Sequence, residues 1–225
     1  MTKSSFRLIG AAAALLVSLA CVSSPRAQEV ISPPQRKGHV VVFLSGMAGP
    51  KHDKALAEAI ASLGYVVVVY DGRHMEGGFG QKLRTAIQNA QQTPNALPGK
   101  VALVGVSLGG GFALAFGSRW PDLVAVDILW YPATGFANKL PGFVNRITVP
   151  VLMFAGGSDH YHDCCLIATA RTLAAHATAA GVPFELVTYP GADHDFIKGG
   201  RNYNPSAYND ALDRTSARLK AAFAN

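Results

Sequence analysis

Ser107 stands inside Gly105-Val106-Ser107-Leu108-Gly109, between an apolar run (Lys100 to Val106) and a segment rich in glycine, alanine and leucine. That order reads as strand, sharp turn, helix, with the serine at the apex and its hydroxyl clear of the chain at the helix N-terminus. A serine hydroxyl is a poor nucleophile until a neighbouring imidazole removes its proton. The imidazole in turn needs a carboxylate to fix its tautomer and stabilise the cation it becomes. An oxyanion formed on attack needs fixed N–H donors. Candidates for the first two partners follow in the chain order expected for such a turn. Asp159 closes Phe154-Ala155-Gly156-Gly157-Ser158-Asp159, and His194 closes Tyr189-Pro190-Gly191-Ala192-Asp193-His194. Asp159 could instead cap the next helix, which would leave Asp163 or Asp127 as the acid.

Positioning these groups requires a regular frame, and the chain alternates accordingly. Val40 to Leu44, Tyr65 to Tyr70, Lys100 to Val106, Leu123 to Trp130, Val149 to Ala155 and Phe184 to Tyr189 read as apolar strands. Between them, Ala55, Leu56, Ala59, Ile60 and Leu63 recur at helical spacing, as do Leu166, Ile167, Ala170, Leu173, Ala174 and Ala177. Further helices are expected over Gly80 to Gln91, Leu108 to Trp120 and around Tyr208, Leu212, Leu219 and Phe223. Strands apolar on both faces, each followed by a helix, predict a mostly parallel six-stranded sheet covered on both sides. In such a sheet the functional loops lie beyond the carboxyl ends of the strands. Ser45-Gly46-Met47-Ala48-Gly49, Ser107, Asp159 and His194 all fall there.

The 225-residue chain carries a formal charge of +6, with 15% charged and 49% hydrophobic residues. Lys3, Arg7 and Arg26 account for three of those charges, and no dense basic block remains, which gives nucleic-acid binding no support. Residues 1–27 read as an export signal: a positive start, a continuous apolar or small-residue run from Leu8 to Val22, and small-residue cleavage sites ending at Ala20 and Ala27. The run is short for a membrane span. The protein is therefore expected to be periplasmic or secreted, with a lipid anchor at Cys21 as the alternative. Residues 28–37 read as a polar, proline-bearing lead-in, and residues 38–225 as one domain. Adjacent Cys164 and Cys165 read as two small half-buried residues at the start of a helix, since neighbouring cysteines bridge only through a strained ring.

On these residues the chain resembles the α/β-hydrolases, and within them the dienelactone hydrolase family. The matching stretches are Gly105 to Gly110, Tyr131-Pro132, Gly156 to Asp159 and Tyr189 to Phe196, within a likeness spanning residues 38 to 223. The resemblance implies Ser107 as nucleophile, His194 as general base and then acid, and Asp159 as the orienting carboxylate. It further implies the backbone N–H groups of Leu108 and Met47 as the oxyanion hole, with no cofactor. Two departures stand out. The family's founding members place cysteine where Ser107 stands, and they carry a glutamate in the loop that here reads Ser-Gly-Met-Ala-Gly. Arg73 and Lys198 occupy places similar to the family's carboxylate-binding arginines, so both are candidates for binding an anionic substrate, against a plain reading as solvated surface charges.

The remaining polar residues fill in the expected rim. His160-Tyr161-His162-Asp163-Cys164-Cys165 matches none of the usual zinc spacings, so no metal is expected there. His160 and His162 are placed at the mouth of the site, with His74 facing them. The segment Tyr131 to Thr148 is too short for a large lid, and Trp130, Tyr131, Phe136 and Phe143 are expected to give an open cleft an apolar wall. The expectation is a serine hydrolase acting on a small ester, lactone or related acyl bond through an acyl-enzyme on Ser107. Amides, thioesters and peptides remain as other acyl substrates. A catalytically silent binding protein of the envelope is the alternative outside enzymes.

Overall fold

Five of the valine-rich segments form strands buried almost throughout: β2 (Val40–Leu44), β3 (Val66–Tyr70), β4 (Val101–Val106), β5 (Val124–Trp130) and β6 (Val151–Gly156). Strands with no polar face must be covered on both sides, and the helices meet that demand. These positions come from a computed structural model that describes residues 26–27, 29–33, 36–137 and 142–224. The expected signal, with Cys21, lies outside the described residues except for Arg26 and Ala27. Helices α1 (Pro50–Ser62) and α5 (Pro205–Ala222) pack on one face, through Leu56, Ile60, Ala211 and Leu219. Helices α2 (Gln81–Gln91), α3 (Leu108–Phe116) and α4 (Ile167–Ala179) pack on the other, through Leu83, Ile87, Leu114, Ala170 and Leu173. Among the described residues no helix is long and apolar enough to cross a membrane.

Among the described residues the sheet has seven strands, ordered β1-β3-β2-β4-β5-β6-β7, with β1 at Glu29–Ile31 and β7 at Phe184–Tyr189. The sixfold expectation missed β1 (Glu29–Ile31), inside the stretch read as a lead-in. It pairs antiparallel with β3, Val30 opposite Val68, and covers an edge whose backbone groups would otherwise lack partners. Three residues are too few for any periodicity to show. Every other pairing is parallel. The helix after Ser107 also ends sooner than expected, at Phe116, followed by a 3₁₀ turn over Gly117–Arg119.

The strand order reverses between β2 and β4, because β3 lies on one side of β2 and β4 on the other. Loops leaving such neighbours diverge to opposite faces and open a crevice at the carboxyl ends. The pairing of Leu44 with Gly105 sets Ser45 and Gly46 beside Val106 and Ser107. The crevice thus falls between the loop after β2 and the turn after β4.

Candidate active site

The turn after β4 is held in a conformation that only dense packing sustains. Ser107 has φ 48° and ψ −112°, an uncommon backbone for a residue with a Cβ, and one costing on the order of 1–3 kcal/mol. Its neighbours make the bend possible. A methyl at Gly105 would lie 2.6 Å from the Gly110 Cα, and one at Gly109 would strike the Leu44 carbonyl. Helix α3 can therefore press directly on β4 and β2. Ser107 N–H donates to the Trp130 carbonyl, and the Ser107 carbonyl accepts from Gly111 and Ala133, which fixes the apex on every side.

Two loops converge on that serine. Ser107 Oγ is 3.0 Å from His194 Nε2, and His194 Nδ1 is 2.7 Å from Asp159 Oδ2. All three residues are buried, with exposures of 7%, 6% and 1%. A carboxylate only accepts, so Nδ1 carries the proton toward Asp159 and Nε2 is left to accept from the serine hydroxyl. The second oxygen of Asp159 accepts the Tyr161 N–H at 3.0 Å. The histidine loop is fixed in turn, the His194 N–H donating to Asp193 at 2.7 Å and Asn202 donating to the His194 carbonyl at 2.8 Å. The Tyr161 ring lies on the imidazole at 4.3 Å, and Tyr131 meets it edge-on at 4.8 Å.

The loop after β2 faces the serine from the other side. Its Gly46 N–H donates to Asp53 Oδ2 at 2.7 Å, so the first turn of α1 anchors it. Asp53 is 1% exposed, and burial pushes its carboxyl up to about 6. Among the described residues the Met47 N–H meets no acceptor. The Leu108 N–H opens α3, where no intrahelical carbonyl is available to it. Both backbone N–H groups expected at the oxyanion hole are thus without an acceptor on either side of Ser107. His52, next to Asp53, bonds Asp195 at 2.9 and 3.1 Å, and that contact raises the imidazole pKa. Asp195 also accepts from the Arg201 N–H at 2.8 Å.

Around these groups lies an open cleft of about 470 Å³, walled by Met47, Ala48, Tyr131, Tyr161, His162 and Asn202 among others. Ser107, Tyr131, His162 and Asp195 all line it, and all four have positive φ without being glycine. Such conformations persist where the surrounding structure over-determines them, as at functional sites.

The structure brings Ser107, Asp159 and His194 together, with Leu108 and Met47 beside them and Tyr131 in the wall. It does not bring Arg73, His74 or Lys198 into the cleft lining. Arg73 is bound by its own neighbour: its guanidinium donates to Asp71 at 2.6 Å and 2.9 Å, holding that carboxyl below the usual range. His74 and Lys198 are exposed. Of the two rim histidines expected, His162 lines the cleft and His160 does not. Of the expected aromatic wall only Tyr131 lines the cleft, joined there by Tyr161. Trp130 is buried under α5, and Phe136 meets Phe143 edge-on at 5.4 Å on the opposite core. Asp163 is exposed, and Asp127 is buried on β5 with neither oxygen paired, so neither reaches the imidazole. His52, Asp53, Tyr161, Asp195, Arg201 and Asn202 carry no spacing signal that would assign them to the site.

Cys164 and Cys165, read as two separate half-buried residues, are joined by a disulfide. The loop before them turns through left-handed backbone at His162 and Asp163. Asp159, Cys165 and His194 each offer an atom within 4.8 Å of the others. As a metal set it is closed: the disulfide takes the sulfur, and the Asp159 contact takes Nδ1.

A doubly covered parallel sheet, a serine raised on a strand-to-helix turn, and an imidazole–carboxylate pair bonded to it define an α/β-hydrolase. The chain belongs to the dienelactone hydrolase family, whose model matches residues 71–223. A comparison with curated proteins finds no match. Among solved structures, the chain is similar to an esterase of the planctomycete Thermogutta terrifontis bound to propionate. The two share 21% identity over 86% of this chain and 88% of that one, at a TM-score of 0.67. The same esterase has been solved phosphorylated by paraoxon, with 21% identity, the same coverage and a TM-score of 0.68. Est1E from Butyrivibrio proteoclasticus is similar at 16% identity over 87% of this chain and 93% of that one, with a TM-score of 0.67.

Proposed function

We propose that this hydrolase cleaves small carboxylic esters or lactones through an acyl-enzyme on Ser107. The observation that carries the reading is the unbroken contact from Ser107 Oγ to His194 Nε2 and from Nδ1 to Asp159. His194 takes the serine proton as the hydroxyl attacks the carbonyl carbon, and Asp159 stabilises the imidazolium. The tetrahedral oxyanion accepts from the Leu108 and Met47 N–H groups. His194 then returns the proton to the leaving alkoxide, and water repeats the sequence to release the acid. None of these steps needs a cofactor. The modest open cleft favours short acyl groups, in keeping with the propionate held by the Thermogutta esterase. The Cys164–Cys165 disulfide favours an oxidising compartment, which supports reading residues 1–27 as an export signal.

Hydrolysis of p-nitrophenyl esters of graded acyl length tests the reading, together with fluorophosphonate labelling. Turnover highest at short chains and labelling abolished in Ser107→Ala are expected. Turnover that survives Ser107→Ala would refute the acyl-enzyme, and a wild-type protein that neither turns over nor labels would be a binding protein on a hydrolase frame.

A further inference from the structure

Two of the groups that hold the His194 ring come from one short loop. Asp159 bonds its Nδ1 at 2.7 Å, and Tyr161 lies across its face at 4.3 Å. That loop ends in the Cys164–Cys165 disulfide just before α4. The Cys164 carbonyl accepts both the Thr134 N–H at 2.8 Å and the Gly135 N–H at 2.9 Å, tying the ring to the segment after β5. Cys165 is buried, and its sulfur sits within 4.8 Å of ligand atoms of both Asp159 and His194. The disulfide is therefore a wall of the triad rather than a surface staple.

We propose that Cys164–Cys165 is a reversible redox site that sets the rate of the serine hydrolase, a proposal that rests on the reading of Ser107 as nucleophile. Adjacent thiols cannot stay at bonding distance. On reduction the sulfurs must open to van der Waals contact, by roughly 1.5 Å. Cys164 is tied through its carbonyl and Cys165 has the triad behind it, so the opening displaces the loop that carries Asp159 and Tyr161. Cys164 is half-buried where Cys165 is buried, which makes it the more open of the pair to a small dithiol. A reductant thiolate attacks Cys164 Sγ, and Cys165 Sγ leaves as thiolate and takes up a proton. The second reductant thiol then displaces Cys164, so two electrons and two protons pass to the protein and the dithiol becomes a disulfide. The oxidised form is the fast one, and the hydrolase reaches its full rate only in oxidising surroundings.

The test uses the full chain purified without reductant, with dithiothreitol as the probe. Thiols of residues 164 and 165 are counted by alkylation and mass spectrometry, beside ester turnover and the rate of fluorophosphonate labelling of Ser107. Expected are no free thiol at these positions before reduction and two after it. A fall of about tenfold in kcat and in labelling should accompany reduction, with KM within about twofold. Reoxidation with diamide should restore the rate in the same molecules, which separates the effect from misfolding. The double variant Cys164→Ser/Cys165→Ser should sit at the reduced rate and ignore dithiothreitol. Two free thiols before reduction, or a change in kcat below twofold once both thiols appear, would overturn the proposal alone. Absence of labelling in the oxidised protein would overturn the nucleophile reading with it.

Discussion

Tyr161 lies flat on His194, the ring centroids 4.3 Å apart and the planes 5° from parallel. The same residue gives its backbone N–H to Asp159. It thus holds both His194 and Asp159, although 40% of its own surface is open to solvent. An aromatic contact of this kind contributes roughly 0.5–1.5 kcal/mol. Tyr161→Ala is expected to lower kcat about two- to tenfold with little change in KM, while Tyr161→Phe keeps the wild-type rate. A fall in the phenylalanine variant equal to that in alanine would show that the hydroxyl, and not the ring, matters.

In the proposed mechanism the serine and the imidazole act as a unit, so their losses should not add. Ser107→Ala and His194→Ala are each expected to lose on the order of 10⁴-fold or more in kcat, and the double variant no more than either. Steady-state kinetics on one p-nitrophenyl ester decides this. A His194→Ala enzyme near wild-type activity would remove the imidazole from the mechanism.

Burial of Asp53 gives stability a definite pH dependence. Its carboxyl titrates at about 6 in the folded protein against an ordinary 3.8, so the folded state binds the proton more tightly. No cost arises below the ordinary value. The cost grows as pH rises through the window and is complete above about 6, reaching a ceiling of roughly 3 kcal/mol. Asp53→Asn should flatten the fall in urea-unfolding free energy between pH 4 and 7. His52 acts in the same direction over a higher window, because its raised pKa gives stability that is full below 6.5 and fades as pH rises through the folded value. An Asp53→Asn variant with the wild-type slope would place the titration elsewhere.

The Arg73 guanidinium is committed to Asp71 and lies outside the cleft lining. Arg73→Ala should therefore change KM by less than about twofold for neutral and carboxylate-bearing esters alike. A selective rise in KM for the carboxylate-bearing ester would mean that Arg73 swings inward when substrate binds.

The frame was legible because the strands are apolar on both faces and the helices carry clear stripes, patterns that survive in one dimension. Ser107, Asp159 and His194 sit where a parallel sheet exposes its loops, so loop position, chain order and the family resemblance together suggested that they meet. Asp53 and His52 lie in Pro50-Lys51-His52-Asp53-Lys54, which in isolation reads as the solvated first turn of a helix. Only the docking of α1 beneath the loop after β2 buries Asp53 against Gly46. Arg73 lies outside the cleft lining for the converse reason: a local partner two residues away holds its guanidinium. The disulfide reads in sequence as two separate cysteines, because neighbouring residues close a bridge only through a strained ring, which the loop geometry and not the residue types decides.

The contact between Gly105 and the Gly110 backbone leaves no volume for a methyl group, nor does the seat of Gly109 against Leu44. Alanine at either place should cost about 1–3 kcal/mol and lower the serine's reach as the helix backs away. Thermal melts of Gly105→Ala and Gly109→Ala beside wild type would measure it. Mutational freedom in this chain is therefore divided unevenly. The exposed rim of the cleft has room for exchange, whereas the turn that carries Ser107 admits a single residue type two positions to either side of it.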